Sequence, residues 1–394
     1  MARPPIELDA LIVGGGVAGL MTLDAIHRRG GRAWLIERDA LGRGQTVWSQ
    51  GIIHGGLKYA LGGSTGAAAR AVSDMPARWR AMLDGDREPN LSAVQMRADR
   101  CAVWAAAGAR SMAGLLGAKL ALRTRPRRWP DDARPQPLQG IPGMVLSVAE
   151  PVLEPTSLLQ TLAHHHAGRL LRGEVAGIDA SPDGAAVTLQ GGLVIRAAYA
   201  VLLAGEGNGQ LRQLAGLSEA AMQTRPLRMV LARGPLPILN GHCIRGTSPW
   251  LTITTAAGDG GERVWQIGGE VAEWGAGETA AATIRRAISD VRDALPSTDL
   301  AGTSWSTYEA PRAERAASDG GRPDQPGLIQ DGRVLTGWPT KLALAPILAD
   351  SIAALIPSGG EAPPVDEQLP SPVPAPPPWM ENRTWTPVHS AAPA

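Results

Sequence analysis

Leu8-Asp-Ala-Leu-Ile-Val-Gly14-Gly-Gly16-Val-Ala-Gly19 runs from a short apolar segment directly into a cluster of glycines. The apolar run, residues 8–14, reads as a buried parallel strand. Residues 17–29 follow with helix formers and apolar side chains at Val17, Leu20, Met21, Leu23 and Ile26. Gly30-Gly31 stops that helix, and Arg32 to Glu37 reads as a second strand. Strand, glycine turn, helix and strand within about 30 residues make a βαβ unit of the kind that binds a dinucleotide. Gly14 permits the tight turn, Gly16 lets backbone approach a pyrophosphate, and Gly19 lets helix and strand pack closely. The helix N-terminus offers unpaired N–H groups and the positive end of a dipole to the phosphates. Glu37, eighteen residues after Gly19, stands where a carboxylate accepts from ribose hydroxyls. The rival reading, a glycine turn that only packs a helix on a sheet, leaves Glu37 unexplained.

Outward from this unit, residues 40–64 carry seven glycines and little periodicity, as a long functional loop does. Thr65 to Leu83 is helical in pattern, anchored by Met75, Trp79 and Met82. Cys101 to Ala106 predicts a strand and Ala107 to Leu120 a helix. Arg123 to Pro142, rich in Arg and Pro, predicts an exposed connection. A helix opens at Glu154-Pro155-Thr156 and reaches about Ala167. His164, His165 and His166 near its end point in different directions, so a solvated terminus is expected and no metal site. Residues 185–192 and 194–204 form strands joined at Gly191-Gly192. Leu227–Ala232, Trp250–Thr255 and Arg263–Gly268 resemble antiparallel strands, with a hairpin loop at 256–261, a helix at 279–295 and a strand at 303–308. Past Pro357 the proline content predicts an extended or disordered tail.

The 394-residue chain is long enough for two connected domains. Thirty-eight basic and 37 acidic side chains leave a net charge of +1, which argues against nucleic-acid partners. Cys101 and Cys243 form no CxxC pattern, so isolated buried thiols and a reducing compartment are expected. The start shows no secretory signal, and no apolar run is long enough to span a bilayer. The expected location is cytoplasmic. With no Phe and twelve Trp, large core positions fall to Trp, Leu and Met.

Three further stretches carry a family resemblance. Ser49-Gln50-Gly51-Ile-Ile-His54-Gly-Gly-Leu-Lys58-Tyr59 resembles the Ile-His-Gly-Gly-x-Arg-Tyr segment of flavin-dependent glycerol-3-phosphate dehydrogenases. Ala198 to Asn208, with Ala204-Gly205, resembles a strand that returns beneath the flavin. Gly332 to Leu342, with Gly337, Thr340, Lys341 and Leu342, is similar to a closing motif that leads into the apolar helix 343–355. With the glycine turn, the chain is similar to FAD-dependent oxidoreductases of the D-amino-acid oxidase and glycerol-3-phosphate dehydrogenase superfamily. The resemblance implies an α/β fold, a Rossmann-like FAD domain carrying an inserted antiparallel-sheet substrate domain. The FAD domain is expected from residues 1–80, 145–220 and 310–356, and the substrate domain from 81–144 and 221–309, with 357–394 as the tail. FAD contacts are expected from Gly14, Gly16, Val17, Ala18, Gly19, Glu37, Arg38, Ser49, Gln50, Gly51, Val175, Ala204, Gly205, Gly337, Thr340, Lys341 and Leu342.

The same resemblance implies hydride transfer to flavin N5 from a small, anionic hydroxy acid, polyol phosphate or amino acid. His54 is the base candidate by position, with a flavin contact, a covalent flavin link or a core histidine as its other readings. His242 is a weaker candidate of the same kind. Lys58 keeps the family's charge but loses the two-pronged arginine geometry, which puts an identical substrate in doubt. Lys58 and Tyr59 are expected to face substrate. Arg312 is expected to anchor the anion, against an alternative ion pair with Glu309 or Glu314; Arg315 stands as its substitute. Lys341 polarises the flavin, touches substrate or meets solvent. Trp48, Trp265 and Trp338 wall the pocket or fill the core. The electron acceptor is oxygen, a quinone or a redox protein, and Trp379 and Trp385 offer a peripheral membrane contact. An NAD(P)H-fed monooxygenase or reductase and a non-redox binding component are the rival functions.

Overall fold

A computed structural model describes residues 7–56, 72–106, 126–246, 248–318, 320–357, 360, 363–365, 369–381 and 383–388. The opening unit forms as its pattern predicts: β1 (Glu7–Val13), α1 (Val17–Arg28) and β2 (Ala33–Glu37). β1 and β2 lie parallel, with Ile12 beside Leu35. Every residue of β1 except Glu7 is buried, because the strand is covered on both faces.

β1 sits inside an eight-stranded sheet. Its path runs Gly327–Asp331, Val334–Trp338, Val194–Leu202, β1, β2 and Leu170–Arg172. The hairpin of Val175–Ser181 and Gly184–Leu189 pairs onto Val194–Leu202 off this path. The strands beside β1 are parallel, so the glycine turn lies at their C-terminal ends, where an open α/β sheet holds its ligand.

A second, nine-stranded sheet runs from Thr386–Pro387 through Ser304–Glu309, Arg228–Gly234, Arg263–Gly269, Ser248–Ala257, Gly241–Arg245, Cys101–Ala105 and Leu146–Val148 to Arg127–Arg128. The expected antiparallel strands are here, together with Gly241–Arg245, which the sequence reading missed. That strand pairs in parallel with Cys101–Ala105 and carries His242. Helix Ala280–Ala294 packs on this sheet through Ile284, Ala287 and Val291.

Several expectations need correction. Leu146–Val148, which the boundary expected at 145 assigns to the FAD domain, pairs with Cys101–Ala105 in the second sheet. The Arg- and Pro-rich connection is not simply exposed. Arg134 is buried and donates to the carbonyls of Ile141 and Gly143, so the segment folds around its own guanidinium. His166 is buried, 3.4 Å from Asp24 and stacked on His27, while His164 and His165 are exposed. The tail is extended but docked: Pro374 bridges to Leu41, Trp379 is buried, and Thr386–Pro387 extends the second sheet. Trp385 lies beneath the Arg233 guanidinium and Trp379 beneath that of Arg97. Residues 65–71 and the helix expected at 107–120 fall outside the described residues. Tryptophan fills the core as composition predicts: Trp34, Trp79, Trp104, Trp250, Trp265, Trp305 and Trp338 are fully buried. Among the described residues no helix is long and apolar enough to cross a membrane.

Candidate functional site

The glycine turn opens onto a cavity of about 580 Å³ that reaches from β2 across to the second sheet. Gly14 adopts φ +116°, and a Cβ there would lie 2.6 Å from the Ala204 backbone. A Cβ on Gly19 would lie 1.9 Å from the Gly14 carbonyl, so α1 packs on the turn with no room for a side chain. Gly16 is the N-cap of α1 and provides no side-chain cap. The nearest atom to a Cβ at Gly16 is Thr46 Oγ1, 3.2 Å away, and the cavity borders the remaining space. A helix N-terminus whose N-cap is a glycine at the mouth of a cavity is suited to a diphosphate.

Glu37 lines the cavity where β2 ends. Its Oε2 accepts the Gly15 N–H at 2.7 Å and its Oε1 accepts the Asp39 N–H at 3.0 Å. The carboxylate thus braces the glycine turn while keeping lone pairs for a ribose. Arg38 and Val175 border the same end of the cavity.

The loop after β2 contains a short helix, Gln45–Trp48, which periodicity did not reveal. Thr46 Oγ1 accepts the Val17 N–H at 3.1 Å, and Gln45 Oε1 accepts the Ala313 N–H at 3.1 Å. Both residues line the cavity and neither was foreseen, because nothing in Gly44-Gln-Thr-Val marks a motif. Ser49, Gln50 and Gly51 also line it. The Gln50 amide donates to the carbonyls of Thr252 and Gln266, so it ties the loop to the second sheet. Gly51 has φ +74°, and a Cβ there would sit 2.0 Å from the Leu153 carbonyl oxygen.

Of the cofactor candidates, Gly14, Gly16, Val17, Ala18, Glu37, Arg38, Ser49, Gln50, Gly51, Val175, Ala204, Gly205, Thr340, Lys341 and Leu342 border this one cavity. Gly19 and Gly337 do not; Gly337 packs under Leu203 and Leu348, where a Cβ would meet Leu203 at 2.7 Å. Thr340 has φ +60°, a left-handed conformation uncommon for a β-branched residue, and its hydroxyl donates to the Pro339 carbonyl. The closing helix begins as a 3-10 turn, Leu342–Leu344, before Ala345–Ala353, with Lys341 at an N-cap that has no side-chain cap. Trp48 and Trp338 line the cavity, whereas Trp265 belongs to the core of the second sheet and donates to the Pro237 carbonyl. The Trp338 indole N–H is buried and has no partner among the described residues.

Arg312 enters on strand Arg312–Arg315, paired with Met222–Arg225. The carboxylates offered as its partners are taken elsewhere: Glu314 pairs with Arg225 at 2.7 Å and Glu309 with Arg228 at 2.5 Å. Half-buried Arg312 has no ion pair among the described residues. Burial, and then the neighbouring Arg322 and Arg225, push its guanidinium down to about 10. Arg315 points away, exposed.

His54 lines the cavity, and 41% of its side chain is accessible through it. Its Nδ1 lies 3.7 Å from Oε2 of Glu150, a fully buried carboxylate with no signal in the sequence. Oε2 also lies 3.3 Å from Nε2 of buried His242, and Oε1 accepts the Gly55 N–H at 2.5 Å. Burial pushes the Glu150 carboxyl up, but the hydrogen bonds to His242 and His54 outweigh it and hold it well below the usual carboxylate range. Burial pushes His54 down, opposed by Glu150 and aided by His242 and Lys341. No ligand set was expected, yet the three side chains bring ligand-type atoms within 4.8 Å of one another. Lys58 and Tyr59 lie outside the described residues.

Residues 9–353 match the FAD dependent oxidoreductase family. The chain is 39% identical over 378 residues, 94% of its own length and 96% of the relative's, to the probable FAD-dependent oxidoreductase PA4991 of Pseudomonas aeruginosa. The crystal structure of that protein superposes with a TM-score of 0.83 at 36% identity, covering 96% of this chain and 99% of the other. Over 66 residues, 16% of this chain and 13% of the relative, it is 40% identical to glycerol-3-phosphate dehydrogenase 1 of Mycobacterium bovis. Glycine oxidase from Geobacillus kaustophilus shares the fold, with a TM-score of 0.65 at 17% identity over 89% of this chain and 94% of the other.

Proposed function

This chain belongs to the FAD-dependent oxidoreductases, and on that premise we propose that it oxidises a small anionic substrate whose charged group is held by Arg312. The observation that carries the reading is Arg312 itself, a half-buried cation at the cavity that no carboxylate neutralises among the described residues. Its like-charged neighbours make that part of the cavity positive, and a bound carboxylate or phosphate relieves the repulsion.

The protein binds FAD, which supplies a hydride acceptor for the substrate's C–H bond. Gly14, Gly16 and the start of α1 receive the diphosphate, and Glu37 takes the ribose. Thr340, Lys341 and Leu342, which line the cavity, would contact the cofactor from the closing segment. Trp48 and Trp338 wall the cavity against water. His54, whose basicity burial lowers against the pull of Glu150, accepts the O–H or N–H proton that the substrate sheds as its C–H bond is broken. Hydroxy acids and polyol phosphates are favoured over amino acids by the His-Gly-Gly-Leu-Lys-Tyr segment and by the short likeness to a glycerol-3-phosphate dehydrogenase. The acceptor that reoxidises the enzyme is oxygen, a quinone or a redox protein.

The test is anaerobic mixing of the holoenzyme with hydroxy acids, polyol phosphates and amino acids while the oxidised flavin band is followed. Bleaching by one anionic class supports the reading and names the substrate. Bleaching only by NAD(P)H, or only by uncharged molecules, overturns it.

A further inference from the structure

We propose that Glu150 and His242 are positioning residues that act through His54, forming with it a buried chain that fixes its tautomer and holds the proton it takes up. This rests on the reading of His54 as the base and deepens it.

Three potential acceptor atoms converge: His54 Nδ1, His242 Nε2 and Glu150 Oε2, with 3.7 and 3.3 Å separating the two nitrogens from the oxygen. Acceptors facing one another at these distances repel unless protons lie between them. Thr252 Oγ1 lies 3.0 Å from His242 Nδ1. When the threonine hydroxyl donates to Nδ1, the proton of His242 sits on Nε2 and points at Glu150. His54 then directs its Nδ1–H at the same carboxylate oxygen, while Gly55 N–H donates to the other. Glu150 thereby accepts the N–H groups of His242 and Gly55 and faces that of His54 at 3.7 Å, surroundings that keep a buried carboxylate ionised.

This arrangement places the lone pair of His54 on Nε2, the ring nitrogen left for the cavity. It also determines the charge. An ionised Glu150 between two neutral imidazoles carries a net charge of −1 in a buried site. When His54 Nε2 takes a proton from a substrate O–H or N–H, the cluster becomes neutral. The bond broken is that O–H or N–H, the bond formed is Nε2–H, and the C–H electron pair leaves to the flavin. The imidazolium is held by Glu150, as a carboxylate-oriented histidine requires. Among the described residues, the other titratable groups facing the cluster are Lys341, which opposes protonation of His54, and the buried Cys101 thiol, pushed up by burial and by Glu150. Neither supplies an alternative proton to the carboxylate.

The distances come from an unusual junction. Gly55 and His54 lie on the glycine-rich loop, Glu150 follows the strand Leu146–Val148, and His242 lies on Gly241–Arg245 two strands away. The rings of His54 and His242 stand 5.5 Å apart, tilted by 38°, and approach the carboxylate side by side.

The experiment has two arms. In the first, histidine-selective 15N NMR of the substrate-free holoenzyme, assigned with His54→Gln and His242→Gln, reads the tautomers at pH 7.5. An Nδ1–H His54 and an Nε2–H His242 are expected; an Nε2–H His54 overturns the proposal. This arm needs no substrate, so it stands even if the panel above bleaches nothing. In the second, the near-isosteric Glu150→Gln holoenzyme is mixed anaerobically with the substrate found. The rate constant for flavin reduction is expected to fall on the order of 100-fold with substrate Kd nearly unchanged. Loss of the carboxylate lowers the basicity of His54, so the acid limb of the pH profile should move to lower pH. A limb that stays in place, or a loss confined to Kd, overturns the proposal. So does a stoichiometric metal ion bound by the purified holoenzyme and released by Glu150→Gln.

Discussion

Arg225 grips Glu314 through two hydrogen bonds, Nε to Oε2 at 3.1 Å and Nη2 to Oε1 at 2.7 Å, across the ribbon that Met222–Arg225 makes with Arg312–Arg315. The pair does two things at once. It neutralises a carboxylate with no solvent exposure, and it withholds that carboxylate from Arg312, two residues away on the same strand.

Removal of Arg225 therefore leaves Glu314 buried and unpaired. Arg225→Met is expected to destabilise the protein by about 3 kcal/mol, the scale for orphaning one partner of a buried ion pair. The urea midpoint checks this, and Arg225→Met combined with Glu314→Gln should recover part of the loss.

Arg312→Ala should weaken binding of the anionic substrate by about 30-fold, the scale of one charge-assisted hydrogen bond of about 2 kcal/mol. Arg312→Lys should recover only part of that affinity, because an ammonium offers no planar fork. Substrate Kd from anaerobic titration of the flavin band is the measurement. Flavin content is expected to stay unchanged in both variants.

Glu37→Ala takes away the acceptor of the Gly15 and Asp39 N–H groups together with the expected ribose partner. FAD affinity should drop between about 10- and 100-fold, as lost hydrogen bonds to a charged group imply. The flavin-to-protein ratio after exhaustive dialysis reads this directly.

His27 introduces a pH dependence remote from the cavity. Burial, with help from Arg169, pushes its imidazole from 6.5 down to about 4, although its contact with the Ala33 carbonyl at 3.0 Å acts the other way. Between those values the unfolded chain binds the proton that the folded chain refuses. Stability contributed by this group is thus complete above about pH 6.5 and is lost as pH falls toward 4. Wild-type protein should lose more melting temperature between pH 7.5 and pH 5 than His27→Gln does.

Local patterns in the chain carried a large share of this reading. β1, α1 and β2 follow from apolar spacing and three glycines, and fifteen of the residues expected at the cofactor, eight of them from the three short segments of resemblance, border one cavity. What stayed hidden is what long-range pairing creates. Glu150 lies between Ala149 and Pro151 in no motif, and it matters only because the fold sets it between residues 54 and 242. Gly241–Arg245 is short and carries two polar side chains among its five residues, so its burial as an interior strand has no periodic signature. Gly337 was expected at the cofactor but serves packing against Leu203 and Leu348, a distinction that only the neighbouring side chains decide. The tail misled in the same way: a proline-rich composition describes the backbone's shape and is silent on whether a buried Trp379 holds it down.

The sheet order has a consequence for how the protein is made. Val334–Trp338 completes the sheet by pairing with Ala200, Val201 and Leu202, which leave the ribosome more than a hundred residues earlier. At elongation rates of about 5–20 residues per second that interval lasts roughly 7 to 27 seconds. Throughout it, the nascent chain presents a raw, apolar strand edge while the second sheet is still being synthesised. A codon bias that slows translation between these two strands should therefore lower soluble yield, and a chaperone that shields strand edges should restore it.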